Sequence, residues 1–169
     1  CNEAALAATR RDADAVTLDD FTVAIERIVA GLEKKSRVLS PREREVVAHH
    51  EMGHALVGHY LENTNPVHKI TIVSRGQALG LTISLPTEDK YLTTKSTLMD
   101  ELAMTLGGRA AEELVFHEVT TGAANDLERV TATSKQMIMR FGMSEKLGPR
   151  VLGRAHDMPF LGRDMGSEP

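Results

Sequence analysis

Cysteine is almost missing from this sequence: Cys1 is the only one in 169 residues. An internal disulfide is therefore excluded, and a reducing compartment fits. A structural zinc site built from Cys ligands is excluded too, so a metal here would need His and carboxylate ligands. Tryptophan is absent and aromatic residues make up 4% of the chain. The interior must then be filled by aliphatic side chains, alanines and the 8 methionines, a mixture that favours helices. No apolar run approaches the roughly 18 residues of a membrane span, and no secretory leader is visible, so the chain is expected to be soluble. Charge of one sign is lacking as well. The formal net charge is −4 with acids and bases mixed along the chain, which argues against a nucleic-acid surface. The length suits one domain, or one domain plus a fragment.

What is present is a five-residue pattern, His50-Glu51-Met52-Gly53-His54, of the form H-E-x-x-H. Two histidines four apart share one face of a helix, so both imidazoles can reach one metal ion. The glutamate between them falls beside that metal, where it can take a proton from water. The pattern predicts a zinc-dependent hydrolase, with a peptidase as the leading case. A short motif can occur by accident, so its context decides. Ser40-Pro41-Arg42-Glu43 is a helix start: Ser40 caps, Pro41 suits the first position and Glu43 completes a capping box. Val47, Ala48, Ala55, Leu56 and Tyr60 follow at helical spacing to about Leu61, and Asn63-Thr64-Asn65-Pro66 stops the helix. Both histidines thus fall in mid-helix.

Elsewhere the chain is also mostly helical. Residues 2–12 form an alanine-rich helix, and Thr17 opens a second with Phe21, Ala24, Ile25 and Ile28 on one face, ended near Gly31. Glu33-Lys34-Lys35-Ser36-Arg37 is a charged connector and a candidate boundary. The period changes to two over Val67–Val73 and again over Gly80–Leu85, a pair of short strands around a turn at Ser74–Gln77. A long helix is expected over Thr94–Phe116, with Gly107-Gly108 inside it explained by close helix packing. A polar loop at Thr120–Asp126 leads to a last helix reaching Phe141 and closed by Gly142. From Gly148 the tail is irregular. No internal repeat is visible. The fold class is mainly α with a small β-sheet or hairpin.

Catalytic zinc takes three protein ligands, and the motif supplies two. The third histidine of the longer H-E-x-x-H-x-x-G-x-x-H pattern would fall on Tyr60, so that pattern is excluded. Asp126 and the pair Glu112/Glu113 are equal candidates on spacing, with His117 behind them. Asp126 also has a plain role as a helix cap.

The chain resembles the FtsH family of ATP-dependent zinc metalloproteases. The resemblance is carried in order by Asn2-Glu3-Ala4-Ala5-Leu6, Val16-Thr17 with Asp20-Phe21, Lys35-Ser36-Arg37 and the His50–His54 motif. It continues through Pro66-Val67-His68-Lys69, Gly107-Gly108-Arg109 with Ala111-Glu112-Glu113, Thr121-Gly122-Ala123 with Asn125-Asp126, Ser144–Pro149 and Phe160-Leu161-Gly162-Arg163. It implies that Asp126 is the third zinc ligand beside His50 and His54, that Glu51 is the catalytic base, and that Glu112 and Glu113 support the site or pack helices. Met52 and Ser74 depart from the usual alanine and proline without touching a ligand. It further implies that residues 1–35 are the last helices of an AAA+ ATPase lid and that 36–169 is a zinc metalloprotease domain, truncated at its C-terminal end. The whole protein would act on unfolded polypeptides as a homo-oligomer, a hexamer in the family. It would be anchored in the cell membrane by segments outside this chain, with this domain on the cytoplasmic side, or in the equivalent place of an organelle. No P-loop occurs, so ATP would be a cofactor only of the longer protein. The alternative is a catalytically silent assembly fragment of the same protease.

Overall fold

The alanine-rich start forms helix α1 (Asn2–Arg10) and the Thr17 signal opens helix α2 (Leu18–Ala30) in the computed structural model, which describes residues 1–31, 39–74, 79–86 and 91–152. Asp20 closes a capping box with Thr17, accepting from its N–H at 2.8 Å and its hydroxyl at 2.9 Å. Arg11 reaches the same carboxylate at 2.7 and 3.0 Å. Arg11 and Thr17 together hold the Asp20 carboxyl well below the usual range. The two helices pack together, and Ala4, Ala8 and Ala24 are buried. The expected apolar face of α2 is only partly covered: Ala24 is inside, while Phe21, Ile25 and Ile28 are exposed. Periodicity identifies an apolar face but not its cover. Gly31, at φ 81°, ends α2 in a conformation that costs glycine little. The charged connector and the expected domain boundary at residue 35 lie outside the described residues.

Helix α3 (Pro41–Tyr60) begins as its sequence dictates. Ser40 Oγ accepts from Glu43 N–H at 3.2 Å, and Glu43 Oε2 accepts from Ser40 N–H at 2.8 Å. It stops where Thr64 Oγ1 donates to the free carbonyl of Gly58 at 2.6 Å, with the Leu61 carbonyl also within reach at 3.1 Å. Asn63 then ties the exit to the next helix, its side chain donating to Asp100 at 2.7 Å. Strands β1 (Val67–Thr71) and β2 (Leu81–Ser84) pair antiparallel, Ile70 opposite Thr82 and Thr71 opposite Leu81, with an irregularity between Val67 and Lys69. Of the expected turn only Ser74 is described; it is buried. Lys69 of β1 pairs with the buried Glu26 of α2.

Helix α4 (Lys95–Phe116), capped by Thr94, is the main partner of α3. Their crossing is a contact of bare backbones. A Cβ on Gly53 would run into the carbonyl oxygen of Gly107, and one on Gly107 would stand 2.6 Å from the carbonyl oxygen of Gly53. His117 ends α4 in the left-handed region at φ 54°. A 3-10 turn (Thr121–Ala123), whose Ala123 is fully buried, leads into helix α5 (Ala124–Met139). Helix α5 ends two residues before the expected Phe141, and Gly142 closes it as expected, turning the chain at φ 61° while Met143 N–H returns to the Met137 carbonyl at 2.9 Å.

The chain divides into two compact units, Cys1–Val130 and Thr131–Pro169. The architecture is mainly α with one small sheet, as expected. Among the described residues no helix is long and apolar enough to cross a membrane. The Phe160–Arg163 segment lies outside the described residues.

Candidate metal centre

His50 and His54 stand one turn apart on α3, both largely buried, their rings edge to face with centroids 4.7 Å apart. Asp126 comes to them from the first turn of α5. The two Nε2 atoms are 3.0 Å apart, and Asp126 Oδ2 lies 3.1 Å from that of His50 and 3.3 Å from that of His54. These three side chains form a group able to hold a metal ion, and no other such group occurs among the described residues.

What stands behind each imidazole decides what faces inward. His50 Nδ1 donates to Glu112 Oε1 at 2.7 Å, and His54 Nδ1 donates to the Met104 carbonyl at 2.9 Å. The Gly108 N–H also lies 3.3 Å from His54 Nδ1, but a helical N–H at that position is directed to the same Met104 carbonyl. The shorter contact therefore fixes the proton on Nδ1. With protons on both Nδ1 atoms, each neutral ring turns a bare Nε2 lone pair toward Asp126. Burial favours the neutral form of Asp126, but whenever an imidazole carries a proton on Nε2 the hydrogen bond it donates outweighs burial and holds the Asp126 pKa well below the usual range. Three lone-pair donors thus converge on one point with no proton between them in the neutral tautomers. Four donors held about 2.0–2.1 Å from zinc in a tetrahedron stand roughly 3.3 Å apart, so this donor set fits zinc in both chemistry and spacing. Burial opposes the charged form of His50, yet Asp126 and Glu112 raise its pKa.

Among the described residues Glu112 is the largest fully buried side chain, 1% exposed. Its Oε1 orients His50, and its Oε2 accepts from the Thr120 N–H at 2.7 Å, at the start of the turn that delivers Asp126. One carboxylate therefore joins α3, α4 and the loop before α5. This is the supporting place expected for it, and it removes Glu112 from the candidate ligands. Glu113 is exposed, and His117 is exposed at the end of α4; neither joins the metal group. Gly108, expected to serve helix packing like Gly107, instead faces the imidazoles. A Cβ there would stand 2.6 Å from both Nε2 atoms.

Glu51 is buried beside the two histidines, against β2. Burial raises its pKa, opposed by a hydrogen bond from Thr82 and by the neighbouring imidazoles. Thr82 Oγ1 lies 2.7 Å from Glu51 Oε2 and 3.0 Å from the Glu51 carbonyl oxygen. Sequence reasoning did not find Thr82, and it had no signal beyond a polar residue in an alternating strand. The Met104 carbonyl has no signal at all, because every residue carries one. His49 has a local role, with Nδ1 2.9 Å from the Glu45 carbonyl and its ring against Phe116; His59 and His68 are exposed.

A family model described as peptidase family M41 matches residues 37–169. ATP-dependent zinc metalloprotease FtsH 1 of Conexibacter woesei is 62% identical over 99% of this chain and 26% of its own length. FtsH 4 of Synechocystis is 55% identical over 98% of this chain and 27% of its own length. The FtsH protein of Slackia heliotrinireducens is 53% identical over 98% of this chain and 21% of its own length. The chain therefore spans about a quarter of the length of the curated relatives it matches.

Proposed function

The chain belongs to peptidase family M41, and on that footing we propose that residues 36–169 are the zinc-dependent endopeptidase domain of a membrane-anchored, ATP-dependent protease. Residues 1–35 are then the last helices of an AAA+ lid ahead of it. The substrates are unfolded or misassembled polypeptides, and the whole protein works as a homo-oligomeric ring. The observation that carries the catalytic reading is the convergence of His50 Nε2, His54 Nε2 and Asp126 Oδ2 with the Glu51 carboxylate beside them.

His50, His54 and Asp126 hold the metal, and Glu112 and the Met104 carbonyl orient the two imidazoles for it. Zinc bound there supplies a Lewis acid for the peptide carbonyl and lowers the pKa of water to about 7. Glu51 accepts the proton of the attacking water and returns it to the departing amine. No side chain forms a covalent bond with the substrate. The buried setting of Glu51 suits a base that must also give its proton back, because burial makes the neutral acid accessible.

Strand β2 is a candidate guide for an extended substrate. Among the described residues it pairs only with β1. Leu85 N–H donates to Pro66 C=O on the β1 side, so alternation turns the Ser84 N–H to the other edge. S84P removes that donor and should raise KM; unchanged kinetics would remove strand β2 from substrate binding.

The catalytic reading is tested with E51Q. The variant should bind zinc as the parent does and lose about 100- to 10,000-fold in hydrolysis of an unfolded polypeptide, the usual contribution of a general base. Parental turnover by zinc-loaded E51Q would exclude Glu51 as the base.

A further inference from the structure

We infer that Thr82 is a positioning residue for the catalytic base: its hydroxyl on β2 fixes the carboxylate of Glu51. This rests on the reading of Glu51 as the base. Thr82 Oγ1 has one proton and two acceptors within reach, Glu51 Oε2 at 2.7 Å and the Glu51 carbonyl oxygen at 3.0 Å. The carboxylate is charged and closer, so it takes the proton. The hydroxyl thereby grips the base by its side chain while standing against its backbone.

A second feature, at the entrance to the same strand, makes room for this arrangement. Gly80 lies one residue before β2 and two before Thr82, and it too abuts Glu51. A Cβ on Gly80 would stand 2.7 Å from Glu51 Oε1, 2.7 Å from Glu51 Cγ and 2.6 Å from Val47 Cγ1. The strand and its entrance therefore present an empty position to one carboxylate oxygen and a hydroxyl donor to the other. Gly80 is itself buried, so a side chain there has no free space to turn into. Gly80, just ahead of β2, and Thr82, within it, together limit where the Glu51 carboxylate can lie. Neither is adjacent in sequence to the H-E-x-x-H helix, and neither belongs to the metal group. The base is thus aimed by the sheet, whereas the metal is held by the helices.

Thr82 therefore affects the chemical step more than metal or substrate binding. The test compares T82V, T82S, G80A and E51Q in the zinc-loaded protein, with kcat, KM and zinc content measured for each. T82V keeps the side-chain shape and removes the donor; its kcat should fall about tenfold or more, with KM and zinc content near the parental values. T82S restores the hydroxyl and should recover most of kcat. G80A displaces the carboxylate without removing any polar group and should show the same kcat-selective loss. It carries the test if T82V fails to fold. A dead E51Q beside a T82V or G80A of parental kcat would overturn the proposal alone. An active E51Q would remove the base reading and this proposal with it. A rise in KM at unchanged kcat would assign Thr82 to substrate binding and overturn its role toward Glu51.

Discussion

Glu112 shows how much one buried side chain decides. It orients His50 with one oxygen and holds the Thr120 N–H with the other, so the geometry of two ligands depends on it. E112Q keeps the size but replaces an acceptor by an amide, and zinc affinity should fall about 10- to 100-fold, read by competition with a chelator. Undiminished affinity would show that His50 is oriented without Glu112. The sequence placed Glu112 among candidate ligands because spacing cannot tell a carboxylate that touches the metal from one that touches the ligand. The H-E-x-x-H residues were legible because one helix fixes their mutual positions. Asp126 was legible only as one of several candidates until the FtsH resemblance singled it out, because the turn that carries it is placed by contacts distant in sequence. Thr82 and the Met104 carbonyl were not legible, since each acquires its role only when another element is laid against it.

At the scale of elements, the crossing of α3 and α4 holds the site together. The closest approach is Gly53 to Gly107, and Gly53 sits inside the metal motif itself. G53A must push the helices apart, and it should destabilise the fold by about 1–3 kcal/mol, measured by denaturant unfolding. An unchanged midpoint would contradict that crossing. The α3 start was read from Ser40 and Glu43, and both reciprocal bonds are present; S40A should cost about 1 kcal/mol in the same assay. The start of α2 adds a pH dependence. The Asp20 pKa is depressed in the folded protein by Arg11 and Thr17, so its contribution is complete above the ordinary carboxylate pKa of about 4 and is lost as pH falls toward the depressed value. D20N should therefore be less stable than the parent at pH 7, and the difference should shrink as the solution is acidified below about pH 4. A difference that does not change with pH would mean that the charge of Asp20 is not what stabilises the helix start.

For the whole molecule, local rules reached the helices and the strand pair because caps, breakers and periods of 3.6 and two are written in short windows. They did not reach the cover of α2, whose Ile25 and Ile28 are exposed on the apolar face that periodicity identifies. Nor did they reach the assignment of Gly108 to the metal site rather than to helix packing. The metal group joins parts that are far apart in the chain: two histidines from α3 and an aspartate from α5, made one site by α4 between them. Its decisive test is zinc stoichiometry and affinity, measured by chelator competition on the parent, D126A and E51Q side by side. The parent should bind about one zinc per chain, E51Q should match it, and D126A should bind far more weakly. Parental zinc affinity in D126A, or its loss in E51Q, would contradict the site.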